Sequence, residues 1–380
     1  MAQERPRFFY IDNLRILLIV LVVLHHLAIT YGAPGDWPYQ EGQPDMVTSI
    51  AFSLFGAIND AFMMGFFFMI SGFFTPGSYD RKGAGPFLRD RLLRLGVPLL
   101  FYIIVIDPLI VYALAVNVKG FEDSFLKFLP RYFENYGSLG VGPLWFVELL
   151  LIFNLLYVLW RRLVAQMAHH GQRKSRMPGN ATIAIFALLL GLVTFIVRMA
   201  VPVGWELKLL GLRFPHIAQY LSLFVIGIIA YRRGWLSGIS DAMAKVWLGI
   251  TIITFVLLPI ALVAGGAMKG NIAPFVGGFH WQSLVKSVWD QFMCMGMVVI
   301  LLVWFRRRFN HQGTVAKAMS ASAYTAYIIH QPVLIVLGLI LMGMSLYLLA
   351  KFALVAPVAL ALCFLLSNYI RKLPLARRIL

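Results

Sequence analysis

Ten separate runs of predominantly apolar residues, at 14–31, 49–74, 92–116, 143–160, 181–201, 215–231, 246–265, 283–305, 321–343 and 346–370, dominate the chain of 380 residues. About 20 such residues are needed for a helix to cross the ~30 Å hydrocarbon core of a bilayer, and each run is of that order. Hydrocarbon offers the backbone no water, so a segment that crosses it must close its own hydrogen bonds. The fold class read from the sequence is all-α: a polytopic integral membrane protein with about ten transmembrane helices. The composition agrees, because 60% hydrophobic and 13% charged residues lie far from the roughly 45–50% and about 25% of soluble domains.

The formal net charge of +17 does not describe a nucleic-acid surface, because the basic residues stand in short clusters between the apolar runs. They are topology signals. Alternate connections, starting with the one that holds Arg5, Arg7 and Arg15, carry 24 of the 33 Lys and Arg, and the opposite set carries six: Lys119, Lys127, Arg131, Lys208, Arg213 and Lys269. Both termini are expected in the cytoplasm. The first run is expected to be retained, since Pro34 follows the only small-residue stretch where a signal peptidase would cut. The connections are loop-sized, so residues 1–380 are read as one domain. Cys294 and Cys363 both lie inside apolar runs, which leaves no disulfide framework, zinc site or iron–sulfur cluster, and no metal site is expected.

An ionisable side chain at bilayer depth costs at least ~2.5 kcal/mol on insertion scales, which makes each one a functional candidate. In the first run Arg15 and His26 are eleven residues apart, and at ~100° per residue they fall about 20° from superposition. Asp12 lies about 40° off the same line, whereas His25 points about 100° away. Asp12, Arg15 and His26 form one stripe that reaches a depth of roughly 16 Å, near the middle of the core. The plain alternative is that His26 only bonds a neighbouring helix. Asn59 with Asp60 and His330 with Gln331 come to similar depth in the second and ninth runs, so three helices could converge there. Asp60 could equally be a structural pair with a base, and His330-Gln331 an interhelical bond before a Pro332 kink. Asp107, Glu148, Arg198 and Asp290 lie nearer the outer half, as the lining of a polar cavity or as mutual ion pairs.

The loop after the second run ends in Arg89, Arg91 and Arg94. Arg91 and Arg94 are i,i+3 and face the same way, which suits bidentate contacts to the phosphates of a nucleotide-bearing donor. A positive-inside anchor is the other reading. The glycine-rich stretch 77–85 lacks phosphate-loop spacing and is read as a flexible loop.

These residues carry a resemblance. Ile11-Asp12-Asn13-Leu14-Arg15, followed by the apolar run to His25-His26, resembles the opening of the membrane acyltransferase-3 family, with its Asp-x-x-Arg start and a histidine eleven residues after the Arg. Phe66 to Phe73, ending in Ser71-Gly72-Phe73, is similar to the family's aromatic run. Phe87 to Pro98 resembles its Arg-x-x-Arg segment, and Tyr327-Ile328-Ile329-His330-Gln331-Pro332 its late Tyr-x-x-His-x-Pro. Leu144-Trp145-Phe146 and Phe224-Val225-Ile226-Gly227 also fit. The fourth span departs from the lipopolysaccharide-modifying members, reading Trp145-Phe146-Val147-Glu148 in place of Ser-Val-Glu-Glu. Length and this segment resemble the glucan biosynthesis protein C-like subgroup.

The resemblance implies an acyltransferase that moves an acyl group, commonly acetyl or succinyl, from cytoplasmic acyl-CoA to a hydroxyl of a carbohydrate or other envelope acceptor. Acyl-CoA is then the donor substrate, with no permanently bound cofactor. Such transfer needs a base, a donor held within reach and exclusion of water. His26 suits the base, with Asp12 or Asp60 to fix its tautomer. Arg15, Arg91 and Arg94 would hold donor phosphates, and Glu148 and His330 would line the acceptor side of a tunnel through His26. The Ser71-Gly72 pair is read as a close-packing site rather than a covalent acyl carrier. The rival classes are a proton-coupled anion transporter and a non-catalytic membrane scaffold. The bacterial inner membrane is the expected location.

Overall fold

The computed structural model describes residues 8–135, 140–165, 175–207 and 214–379. Of the basic residues counted above, Arg5, Arg7, Arg173, Lys174, Lys208 and Arg213 lie outside these segments. Ten helices are long and apolar enough to cross a membrane, and no β-strand element occurs among the described residues. They are α1 (Phe9–Thr30), α2 (Met46–Lys82), α3 (Ala84–Lys119), α5 (Trp145–Ala165), α6 (Asn180–Ala200), α7 (Ile217–Arg233), α8 (Asp241–Ala264), α9 (Trp281–Arg308), α10 (Thr314–Ile340) and α11 (Leu348–Ile370). Between α3 and α5 lies α4 (Phe125–Asn135), whose aromatic side packs on Tyr112 of α3. An even number of crossings returns the chain to the face where it began. Asn13 near the start of α1 accordingly donates to the carbonyls of Phe309 and His311 between α9 and α10. We call this the terminal face.

The helices divide into a centre and a periphery. The most apolar stretch of α9 is 72% buried, against 28% for α6, α8 and α11, so these three present most of their surface to lipid. Lipid removes the hydrophobic drive for helices to associate, and close van der Waals approach replaces it. Two backbones come close where α2 meets α7. A Cβ on Gly72 would stand 2.1 Å from the carbonyl oxygen of Phe224, and one on Gly227 would stand 2.1 Å from that of Met69. Two of the motifs singled out in the sequence, Ser71-Gly72-Phe73 and Phe224 to Gly227, are the two sides of one contact.

Two expectations about helix boundaries are corrected. The stretch 77–85 is helical on both sides of Gly83, which breaks the chain at φ +74°. It holds because Asp80 accepts two bonds from Arg232, at 2.6 and 2.9 Å, and one from Arg161 at 3.2 Å. The helix α3 begins at Ala84, ahead of the apolar run that starts at 92, so Arg89 and Arg91 sit on it as well as Arg94. It contains two wide π turns, Leu92–Gly96 and Tyr102–Ile106, each followed by a proline, Pro98 and Pro108. Proline has no N–H to give the carbonyl four residues back, and a wide turn absorbs the mismatch. The carbonyl that Pro98 cannot serve belongs to Arg94, and the hydroxyl of Tyr324 on α10 donates to it at 2.7 Å.

At the opposite face Asp45 caps α2 by accepting from the amides of Val47 and Thr48. The Thr48 hydroxyl is the main cause that holds the Asp45 carboxyl below the usual carboxylate range.

Candidate active site

A cavity of about 420 Å³ opens between α1, α2, α3, α5 and α10 near the terminal face. Arg15, Arg91 and Arg94 all line it, together with Ser71, Thr75, Asn154 and Tyr324, and Phe67, Phe146 and Tyr327 form its inner end. The wall on α10, from Ser320 to Tyr327, rises about 10 Å. The Asp12 carboxylate is 3.8 Å from Arg15, and Asp90 is drawn off by an ion pair to Lys82. Arg91 stacks on the Phe87 ring at 4.9 Å, and its Nε is buried without a hydrogen-bond partner. Arg89 is exposed and does not line the cavity. Positive charge is thus gathered from three separate turns and only partly answered by the protein's own carboxylates, which suits an anionic ligand.

His26 is not a cavity residue. It lies deeper, where its Nδ1 is 3.0 Å from the carbonyl of Val22 and 3.2 Å from His330 Nε2. The indole of Trp37, from the connection after α1, stacks on it with centroids 4.4 Å apart. His330 is fully buried, and its Nδ1 is 2.5 Å from the carbonyl of Tyr327. Tyr327 therefore links the two places, since it lines the cavity and tilts its ring against His330 at 5.7 Å. Its hydroxyl donates to the carbonyl of Pro143. Next to His330, Gln331 accepts from the Tyr102 hydroxyl, so both residues of this pair make an interhelical bond, Gln331 to α3 and His330 to His26 on α1.

The carboxylates fall elsewhere than the sequence suggested. Asp60 stands 3.5 Å from His25 Nε2, with 59% of its side chain exposed, so it is a partner of His25 and not of His26. The cause is angular: His25 and His26 point about 100° apart on α1, and α2 packs on His25's side. Asp12 pairs with Arg15 and lies about four turns from His26. Glu148 is buried, its Oε2 has no partner, and it does not line the cavity although Phe146 and Val147 beside it do. Of the outer-half residues, Arg198 and Asp290 form an ion pair at 2.8 Å, and Asp107 accepts from Tyr132 at 2.5 Å. The sequence reading gave no role to Trp37, Tyr324 or Tyr327. Tyr327 had a signal, being three residues before His330 and so on the same face, whereas nothing in the spacing marked Trp37.

Residues 8–368 match the acyltransferase domain that defines one family of membrane proteins. The chain belongs to the acyltransferase-3 family. It is similar to proteins named Glucans biosynthesis protein C, from Escherichia coli O6:K15:H31 (strain 536 / UPEC) and from Escherichia coli O157:H7 (strain EC4115 / EHEC). Each is 21% identical over 342 residues, which cover 87% of this chain and 83% of the relative. No solved structure matches the chain. This member of the acyltransferase-3 family is a multi-pass integral membrane protein and an acyltransferase that transfers groups other than amino-acyl groups. Its family membership implies an acyl donor and a hydroxyl-bearing acceptor.

Proposed function

We propose that the protein transfers an acetyl- or succinyl-type group from acyl-CoA, bound at the terminal face, to a hydroxyl of a carbohydrate or other envelope acceptor, with His26 as general base. The Lys/Arg bias puts that face in the cytoplasm, in a bacterial inner membrane. One observation carries the reading: three arginines from α1 and α3 meet in one cavity, and its inner end, Tyr327, touches the histidine that contacts His26. A volume of about 420 Å³ falls within the ~300–1,000 Å³ of small-molecule sites. The glucan named in the relatives supports a carbohydrate acceptor.

In this reading Arg91, Arg94 and Arg15 clamp the donor's phosphates, with Asp12 holding Arg15 in place. The acyl-bearing arm extends inward past Ser71 and Thr75 towards Tyr327. The acceptor hydroxyl gives its proton to His26 as its oxygen attacks the thioester carbonyl. The C–S bond then breaks, and the CoA thiolate takes that proton back from His26, so ester and free thiol are the only products. Lipid and packed helices keep out the water that would hydrolyse the thioester. Glu148 and His330 stand on the acceptor's side of the cavity's inner end.

Release of free CoA from acetyl-CoA or succinyl-CoA by the purified protein tests the donor. His26→Ala should lower that release by about 10²–10⁴, while His25→Ala, which disturbs only the pair with Asp60, should stay within about tenfold of wild type. The opposite ranking in properly inserted protein rejects His26 as the base.

A further inference from the structure

Two backbone carbonyls determine which nitrogen carries the proton on each ring of the buried histidine pair. The carbonyl of Tyr327 is 2.5 Å from His330 Nδ1, and the carbonyl of Val22 is 3.0 Å from His26 Nδ1. A carbonyl oxygen can only accept, so in both rings Nδ1 bears the hydrogen. In a neutral imidazole the other nitrogen then holds the lone pair. His330 Nε2 lies 3.2 Å from His26 Nδ1, so it accepts from the hydrogen that His26 also directs at Val22. The two contacts agree with each other, and a single tautomer satisfies all three bonds.

We propose that His330 is a positioning residue that acts through His26, an inference that rests on His26 being the base. The chain runs from the Tyr327 carbonyl to His330 Nδ1–H, and from His330 Nε2 to His26 Nδ1–H, and it assigns His26 Nε2 as the nitrogen that takes the acceptor's proton. When Nε2 is protonated, the charge that develops on His26 faces the His330 lone pair and the Val22 carbonyl. This is the part a carboxylate plays in a Ser-His-Asp triad, carried here by a neutral ring. A neutral acceptor suits the place, because His330 is fully buried and an ionised group there would have to be desolvated. His25 is an ionisable neighbour, its ring centroid 5.5 Å from that of His26, with Asp60 beyond it. Trp37, stacked 4.4 Å from the His26 ring, holds that ring in the plane that His330 needs.

The chemistry predicts which replacement will serve. Gln reaches about as far as Nε2 and can present its Oε1 to His26, Asn places its amide near Nδ1 and falls short, and Leu offers no acceptor. With acetyl-CoA as donor and a glucan oligosaccharide as the hydroxyl, His330→Gln should keep kcat within about tenfold of wild type. His330→Asn and His330→Leu should lower kcat on the order of a hundredfold or more, with KM for acetyl-CoA unchanged in all three. If His330→Leu fails to fold, the contrast between Asn and Gln carries the test, since both are polar and smaller than His. Asn equal to or better than Gln overturns the relay, as does a change confined to KM. His26→Ala separates the two claims. Turnover that survives it rejects the base itself, whereas its loss alongside indistinguishable Gln and Asn variants rejects only the relay. A wild-type protein that releases no CoA rejects the acyl-CoA reading and the relay with it.

Discussion

Two of the charged groups within the spanning helices are built on opposite plans. Between α6 and α9, Asp290 takes Lys286 on one carboxylate oxygen and Arg198 on the other, and Arg198 also reaches the Ser287 hydroxyl at 3.3 Å and His216 Nδ1 at 3.2 Å. The side chains of Arg198 and Asp290 are 1% and 2% exposed. At the terminal face, Arg15, Arg91 and Arg94 border a cavity, and Asp90, the nearest carboxylate in sequence to two of them, is paired with Lys82. The residue types are the same in both places. What differs is whether the protein itself completes the charge, and a guanidinium left facing open space is the one available to a ligand.

The strongest way to break this comparison is at the closed group. Arg198→Leu takes the guanidinium from a desolvated Asp290 that keeps Lys286, and removing one partner of a buried pair costs about 3–5 kcal/mol. Arg198→Leu combined with Asp290→Asn should recover most of that, because no charge is then stranded. Denaturation of the purified protein in detergent measures both. A single variant as stable as wild type but inactive would move Arg198 from the frame of the molecule to its chemistry.

The open group should respond in the other direction. Arg91→Gln and Arg94→Gln should each weaken acyl-CoA binding by roughly ten- to a hundredfold, about 1.5–3 kcal/mol for a lost charge-assisted contact. For Arg94→Gln stability should stay within about 0.5 kcal/mol, as for ordinary surface changes, while Arg91→Gln also gives up its stack on Phe87, a contact worth about 0.5–1 kcal/mol. Lysine should restore binding only in part, since an ammonium cannot reproduce the bidentate fork. Calorimetric titration with acyl-CoA decides it, and unchanged affinity in both variants returns these arginines to the role of topology anchors.

The contrast also marks what could be read in advance. Ten spans were legible because length and apolarity are local properties of the chain, and each of the ten apolar runs falls on one spanning helix. The arginines of the cavity were legible as a set because two of them share a helix face. Partner choice was not legible. His26 meets His330 across 304 positions, and the sequence offered Asp12 and Asp60, which the fold commits to Arg15 and His25. Helical angle puts His25 and His26 on different sides of α1, yet it carries no information about which neighbour occupies each side. The π turns of α3 were likewise hidden, since a proline in an apolar run predicts a disturbance without saying whether the helix kinks, ends or widens.

The smallest expected effect lies where a closed group sits at the rim. Lys351 is buried at the start of α11, and it binds Glu41 and the carbonyls of Leu341 and Met344, the last two at 2.7 and 3.4 Å. It thereby ties the connection after α1, which carries Trp37, onto the turn between α10 and α11. By its partner set Lys351 resembles Arg198, but Glu41 is 17% exposed and can turn to water once released. Lys351→Met keeps the length of the side chain and strands no charge in the interior. Its cost should therefore fall between an exposed pair and a buried one, about 1–2 kcal/mol. The clearer readout is local: amide exchange over residues 31–45 should quicken while that of α9 is unchanged, because a strap has been loosened and not a core. If Lys351→Met destabilised the protein as much as Arg198→Leu, access to water would not be what separates the two sites, and the ranking argued from burial would fail.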